Sequence, residues 1–443
     1  MTHKVYSITD LGPGDGGKGG VVEAVAEKVH AHTIIKEGGA QGSHGVVLSD
    51  GRKFNFSQWG CATFQGVPTY LSDRFVMSPI GLLAEAKALR DVGIYNGFGL
   101  ISASPDCICA SPYHQAWSRL YELSLRDHPH GTVGTGIGKA YKQSETDPDL
   151  VLRASMLHDE AEVRKMISLQ REYVQTLFAS MSDEDVLPED IDLLHENLAL
   201  LESNEAFEDI VEKTVYAGKI LRLRELRDVL CHDGVAVVER SHGVLTDSEC
   251  GLKPHVSSLR TLPFFTLQSL SIAGFSGQLV NLGVHRAYEI RHGAGPIPTA
   301  MEELKENLLP GSHKDTNRWQ GEVRVGALDF VLMNYALDCC EGIKGFDGLC
   351  LTWFDQILNF GTWPICLSYT INGNMILHAK LNARMMSLAQ PNLSTFDISS
   401  RLHDPNNRDD AFEFCREFVE SFINNIPLRL LSFGARKEDK FFK

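Results

Sequence analysis

The chain has 443 residues and a formal net charge of −15, with 43% hydrophobic and 22% charged residues. This is an ordinary globular composition with ample material for a core. The acidic balance argues against a protein that tracks a nucleic-acid backbone, which needs clustered Lys and Arg. With no apolar run of signal or membrane-span length, we expect a cytoplasmic protein that engages neither nucleic acid nor membrane.

In chain order, "KVYSIT" (4–9) reads as a strand that ends at a glycine loop, "GPGDGGKGG" (12–20). "GGVVEAVAEKVHA" then has helical spacing. Strand, glycine loop and helix together aim backbone N–H groups at an anion. "HTIIKEGG" is a second strand running into "GGAQGSHGVV" (38–47). "SPIGLLAEAKALRDVG" is a helix with Pro near its start and Gly at its end. "HGTVGTGIGKAY" (130–141) is a third glycine-rich loop. Residues from 155 to about 230 are charged, Leu-rich and helix-periodic, and read as a helical insertion. "GVAVVERSHG" returns to strand, and "RHGAGPIPT" (291–299) is a fourth glycine loop. "FDGLCLTWFDQI" and "IPLRLLSFGARKED" are late strands ending in polar loops. Strands alternating with helices predict an α/β fold with a central, mostly parallel sheet and peripheral helices. Ligands in such sheets sit at the carboxyl ends of the strands, where the glycine segments fall. The ten cysteines show no zinc-ligand spacing and read as reduced structural thiols.

The first loop is not a standard phosphate loop, because Lys18 is followed by Gly19 rather than by a hydroxyl residue. Lys18 can still reach a polyphosphate unobstructed between Gly17, Gly19 and Gly20. Asp15 beside phosphates needs either a cation between them or a role in proton chemistry; a plain turn Asp is the competing reading. His44 lies among small residues and could donate to a phosphoryl oxygen. Arg291 could reach a phosphate or carboxylate. Asp355, at a strand terminus, could accept two N–H donors from a guanine edge.

This ordered set resembles adenylosuccinate synthetase along nearly the whole chain. The family's G-D-E-G-K-G-K is similar to "GDGGKGG" at 14–20, and its G-G-x-N-A-G-H-T to "GGAQGSHG". Its G-T-T-G-R-G-I-G-P-A-Y is similar to "GTVGTGIGKAY", and its R-V-G-A-G-P-F-P-T to "RHGAGPIPT". T-K-L-D resembles "TWFD" at 352–355, and S-T-G-P-D-R resembles "SFGARK" at 432–437.

The resemblance implies one domain over 1–443, related to P-loop NTPases, in a homodimer. It implies a GTP-dependent carbon–nitrogen ligase that phosphorylates a purine oxygen and displaces the phosphate with an amine such as aspartate. Asp15 takes the place of the catalytic base, and with Ser43 that of the magnesium ligands; His44 takes that of the acid. Lys18 with Gly14, Gly16, Gly17, Gly19 and Gly45 matches the GTP phosphate cradle. Asp355, Ser432 and Gly434 match the guanine pocket. The acceptor and amine side falls on Gln41, Thr132, Val133, His242, Arg291, Arg318 and Arg324.

The departures gather on that last side. Gln41 replaces an Asn, Val133 a Thr, Thr135 an Arg and His242 a Gln, and Asp149 falls where a partner-lent Arg is expected. Arg318 and Arg324 remain as cations in "NRWQGEVRVG", where Glu322 cannot replace bidentate arginine recognition. The pattern predicts a relative with an altered acceptor or amine donor. Two alternatives stay open: authentic adenylosuccinate synthesis from IMP, GTP and aspartate, and a GTP-binding regulatory protein without catalysis.

Overall fold

β1 (Thr2–Asp10) is flanked on both sides by parallel neighbours, and Val5 and Ile8 are fully buried. A strand covered in this way needs an almost continuous apolar sequence, which explains "VYSI". The computed structural model describes residues 1–443 except 310–318, 341–344, 378–380, 399, 403, 405–406 and 424, and only the backbone of Ala383. Arg318 therefore lies outside the described residues.

The glycine loop after β1 opens α1 (Lys18–Lys28), whose buried residues run unbroken from Lys18 to Ala26. β2 (Thr33–Gly39) leads to a small hairpin of β3 (His44–Val47) and β4 (Lys53–Phe56). β5 (Thr69–Met77) is followed by α2 (Pro79–Asp91), which starts where the Ser78 side chain accepts the Gly81 N–H at 3.1 Å. β6 (Ile101–Ala103), β7 (Ile108–Cys109), α3 (Pro112–Ser124) and α4 (Ile137–Thr146) come next. The segment from 155 to about 230 is mainly helical, with α5 (Glu160–Leu177), α6 (Ile191–Glu202) and α7 (Asn204–Ile220). Asp159 and Ser203 cap α5 and α7 by accepting backbone N–H groups of their first turns. The short β8 (Arg222–Leu223) inside this segment pairs with β6, an edge strand that helical periodicity hides.

β9 (Gly234–Gly243) and β10 (Gln278–Arg286) are the two neighbours of β1. β11 (Glu289–His292) and β12 (Val323–Gly326) form an antiparallel ribbon. β13 (Leu328–Asp329), β14 (Gly348–Thr352), β15 (Thr362–Ile371), β16 (Asn374–Ile376), β17 (Gln390–Asp397), β18 (Leu428–Ser432) and β19 (Lys440–Phe442) complete the strands used here.

The main sheet has eleven strands in the order β19-β18-β14-β10-β1-β9-β2-β5-β6-β8, with β7 added on β5. Only the β18–β19 pair is antiparallel. This is the mostly parallel α/β sheet expected from the sequence. The chain leaves β1 toward β2 on one side, while β10 and β14 lie on the other. Such a switch point opens a crevice at the strands' carboxyl ends. Asp10, Gly39, Gly243, Arg286, Thr352 and Ser432 all end their strands there. No helix among the described residues is long and apolar enough to cross a membrane.

Candidate active site

The glycine loop is wound around a buried carboxylate. Asp10 accepts the N–H groups of Gly12 and Gly16 and the Lys18 ammonium, each at 2.8 Å. Burial alone would push this carboxyl up, but Lys18 and the two loop N–H groups outweigh it and hold the carboxyl below its ordinary value. The loop reaches this shape through Asp15 and Gly17, at φ 57° and 81°. A left-handed Asp is tolerated far better than a branched or bulky residue. The Asp15 carbonyl accepts the Arg286 Nε–H, while its carboxylate points outward, 3.1 Å from His292 Nε2. Gly19 packs on Gly45, so closely that a Cβ would strike the Gly45 carbonyl. The first two glycine segments are thus in direct contact.

The second segment carries His44, and a buried pair on neighbouring strands orients it. Lys36 on β2 stands opposite Glu239 on β9, and its ammonium reaches Glu239 Oε1 at 2.8 Å. The same oxygen lies 2.7 Å from His44 Nδ1. The other accepts the Cys61 N–H at 2.9 Å. Burial would raise the Glu239 carboxyl, but Lys36 and His44 outweigh it and hold it well below the usual carboxylate range. An ionised carboxylate only accepts, so His44 Nδ1 must be the donor. His44 Nε2 is then the free position, and it is buried without a partner. Burial, with Lys18 and Lys36, lowers the imidazole's pKa. The ring is therefore neutral at pH 7, with a lone pair aimed away from Glu239.

Asp15, Gln41, Thr132, Val133, His242 and Arg291 line one cavity of about 360 Å³. Asp15 is the one carboxylate among its described lining residues, against the cations Lys139, Lys142 and Arg291. In a chain of net charge −15 this is a local reversal of sign that favours an anionic ligand. Lys139 lies 3.7 Å above the Tyr121 ring, and burial together with Lys142 pushes its ammonium down to about 8. His242 touches the Gln41 amide and lies 3.3 Å from Ser257 Oγ. Burial, Lys18 and His44 hold His242 at about 3, so it accepts the Gln41 N–H.

Other expected residues sit differently. Arg291 donates to the carbonyls of Ala294 and His255, both at 2.9 Å. Arg324 donates to those of Gly293 and Gly295, both at 2.6 Å. These guanidinium groups brace the fourth glycine loop, which limits what they can offer a ligand. Asp149 lies on the exposed turn Pro148–Leu150 and does not line its own chain's cavity. The expected loss of positive charge is offset by Lys139 and Lys142 from α4.

On the other side of the loop, Asp355 sits in the first turn of the helix Phe354–Phe360. Its Oδ2 accepts the Gln356 amide at 2.7 Å, and its Oδ1 is buried without a partner. The Ser432 hydroxyl donates to the Gly434 carbonyl at 2.9 Å. Trp353 caps that helix at φ 59°, an uncommon conformation for a bulky residue. Its ring lies 4.2 Å from the Arg286 guanidinium that holds Asp15.

For a magnesium ion the donor chemistry fits at Asp15, which offers a half-exposed carboxylate at the cavity rim. Mg²⁺ is commonly held by one or two carboxylates plus substrate phosphates. Ser43 is exposed on the adjoining loop. His44, Cys61 and Glu239 also bring ligand atoms within 4.8 Å of one another, but Lys36 already neutralises Glu239, which suits a proton rather than a metal.

Sequence reasoning missed Asp10, Lys36, Glu239 and Arg286, whereas Lys139, Lys142 and Arg153 stand in the sequence as possible replacement cations, of which Lys139 and Lys142 line the cavity. A signal existed for three of the missed residues. Asp10, Lys36 and Glu239 are charges inside or ending apolar parallel strands, and charges so placed must be paired.

A family model described as adenylosuccinate synthetase matches residues 9–441. The chain is 27% identical to adenylosuccinate synthetase of Mycolicibacterium smegmatis over 381 residues, covering 85% of this chain and 83% of that one. It is 24% identical to that of Chlorobium phaeovibrioides over 441 residues, covering 97% and 95%. The fold is similar to fully ligated adenylosuccinate synthetase from Plasmodium falciparum, with TM-score 0.75, 17% identity and 99% of each chain covered. It is also similar to cyanophage S-2L succinoaminodeoxyadenylate synthetase bound to dGMP and dATP as an energy donor. There the TM-score is 0.56 at 13% identity, covering 100% of this chain and 96% of the other.

Proposed function

The chain belongs to the adenylosuccinate synthetase family of GTP-dependent carbon–nitrogen ligases, and on that premise we propose how its own residues divide the work. GTP phosphorylates an oxo oxygen of an anionic, purine-like acceptor. An amine such as that of aspartate then attacks the same carbon, the C–O bond breaks, and phosphate leaves. Asp15 takes the acceptor's ring N–H proton, which moves electron density onto the oxygen to be phosphorylated. The Lys36–Glu239 pair fixes the His44 ring, so that Nε2 meets the transferring phosphoryl group. As the charged triphosphate binds, its field raises the affinity of the neutral imidazole for a proton, which Nε2 takes from solvent and then uses to donate a charged hydrogen bond. Lys18 shifts from Asp10 to the triphosphate. Magnesium at Asp15 and Ser43 would neutralise phosphate charge. Most of the acceleration in such transfers comes from positioning and charge stabilisation, which this set of residues supplies.

The observation that carries this reading is the unpartnered His44 Nε2, buried beside Lys18 and held by Glu239. The cation-lined cavity supports a nucleotide acceptor, while Val133, Thr135 and His242 support one other than IMP. A purine bearing a 2-amino group, like the dGMP of the phage neighbour, is the leading second candidate. The test is GDP release from GTP, Mg²⁺ and aspartate, measured with IMP, GMP and dGMP in turn. Release that requires one acceptor supports the ligase. GTP binding with no acceptor-dependent release would leave the regulatory reading. The homodimer and a cytoplasmic setting belong to the same proposal, to be checked by sedimentation and by cell fractionation.

A further inference from the structure

Beside the phosphate cradle, Asp355 and Lys440 leave two complementary polar positions unfilled. Lys440 opens β19, opposite Ser432 of β18, and is almost fully buried. Its ammonium donates to the carbonyls of Gly434 at 2.6 Å and Arg436 at 3.1 Å. An ammonium has three donors, and among the described residues the third has no protein acceptor. Its stem lies against Gly20 in the first turn of α1, where a Cβ would come within 3.0 Å of Lys440 Cε. Asp355 Oδ1 is buried without a partner. Each group feels the other's charge, yet they do not form an ion pair. A buried acceptor and a buried donor that lie within each other's field without pairing suit a ligand that supplies the reverse pattern.

A purine edge with a ring N–H beside a carbonyl supplies that pattern. We propose that Lys440 determines nucleobase specificity, donating to the 6-oxo group of a guanine whose N1–H and 2-amino group face Asp355. Adenine is mismatched at both points: its 6-amino group meets the ammonium, and its unprotonated N1 meets the carboxylate. Burial pushes Lys440 down to about 8, with Asp439 and Asp355 opposing, so the ammonium still predominates at pH 7. The question is real for this fold, because the phage neighbour is bound to dATP as its energy donor. The assignment rests on GTP being the donor substrate.

The experiment is calorimetric binding of GTP, ITP, 6-thio-GTP and ATP to the full chain with Mg²⁺, for wild type, Lys440→Met and Lys440→Arg. Lys440→Met should weaken GTP and ITP about tenfold or more, the usual effect of losing a charged hydrogen bond, and leave ATP unchanged. Wild type should bind 6-thio-GTP less well than GTP, since sulfur is the poorer acceptor, and Lys440→Met should not tell the two apart. Lys440→Arg should restore part of the preference. An equal loss for all four nucleotides would make Lys440 merely a brace for the 434–436 turn and overturn the assignment. So would a full GTP preference in Lys440→Met. A wild type that binds GTP no better than ATP would instead overturn the donor reading, and this assignment with it.

Discussion

Lys18 of the glycine loop donates to Asp10 at 2.8 Å, and both side chains are buried. The loop is therefore closed on a carboxylate of its own strand, and in the proposed reaction a triphosphate would compete for the same ammonium. Removing one member of a buried pair leaves the other uncompensated, which costs about 3–5 kcal/mol. Asp10→Ala should lower unfolding stability by that amount in urea titrations. A change below about 1 kcal/mol would mean that the pair is not closed in solution.

Glu239 acts through His44. Glu239→Gln should lower turnover by a factor on the order of 10² or more, as expected for a disabled acid–base group, with a much smaller change in nucleotide affinity. It should also destabilise the fold, because Lys36 loses its counter-charge. Unchanged single-turnover GDP formation in this variant would remove His44 from the chemistry.

Asp15→Asn keeps the left-handed turn, since Asn tolerates that region as well as Asp. The variant should lose the base and a magnesium ligand together, and turnover should fall by roughly 10² or more. Binding of GTP measured without magnesium should be nearly unchanged. Turnover near that of wild type would leave Asp15 as a turn residue.

His285 gives the fold a pH dependence. Burial pushes its imidazole down, but Glu289, 3.1 Å away, and the Arg286 carbonyl outweigh this and raise it to about 9. A pKa raised above the unfolded value of about 6.5 contributes stability that is complete below pH 6.5 and is lost as pH rises through 9. The full effect is on the order of 3 kcal/mol. Denaturation midpoints should fall between pH 6.5 and 9, and His285→Gln should flatten that slope. The same slope in both proteins would assign it elsewhere.

In the proposed reaction Lys139, which lines the cavity, replaces charge that the acceptor side lacks. Lys139→Met should weaken the phosphorylated acceptor about tenfold in KM, as loss of one charged hydrogen bond would, with kcat less affected and the corresponding nucleoside unaffected. With Val133 and Thr135 in the wall, IMP should be a poorer substrate than the true acceptor. A micromolar KM for IMP with turnover of several per second would restore ordinary adenylosuccinate synthesis.

The parallel sheet was legible because its strands are apolar runs ending at glycine loops, and Asp15, Gln41, Thr132, Val133, His242 and Arg291 do share one cavity. Two things stayed hidden. Lys36 and Glu239 pair across strands whose order is set only by the fold, so that pairing could not be read from spacing, and Asp10 meets Lys18 only through the turn of the glycine loop. Arg291 and Arg324 looked like ligand cations because a sequence does not show the carbonyls that already occupy them. Among the replacement cations the sequence offers, α4 turns Lys139 and Lys142 into the cavity wall, while Arg153 does not line it.

The central claim is that an acceptor oxygen is phosphorylated before the amine replaces it. Acceptor labelled with ¹⁸O at its 6-oxo position, incubated with GTP, Mg²⁺, aspartate and the enzyme, tests it most directly. The account predicts that the label appears in inorganic phosphate, one atom per amine adduct, and that Asp15→Asn and Glu239→Gln slow both together. Phosphate released without label, or released equally without any acceptor, would contradict it.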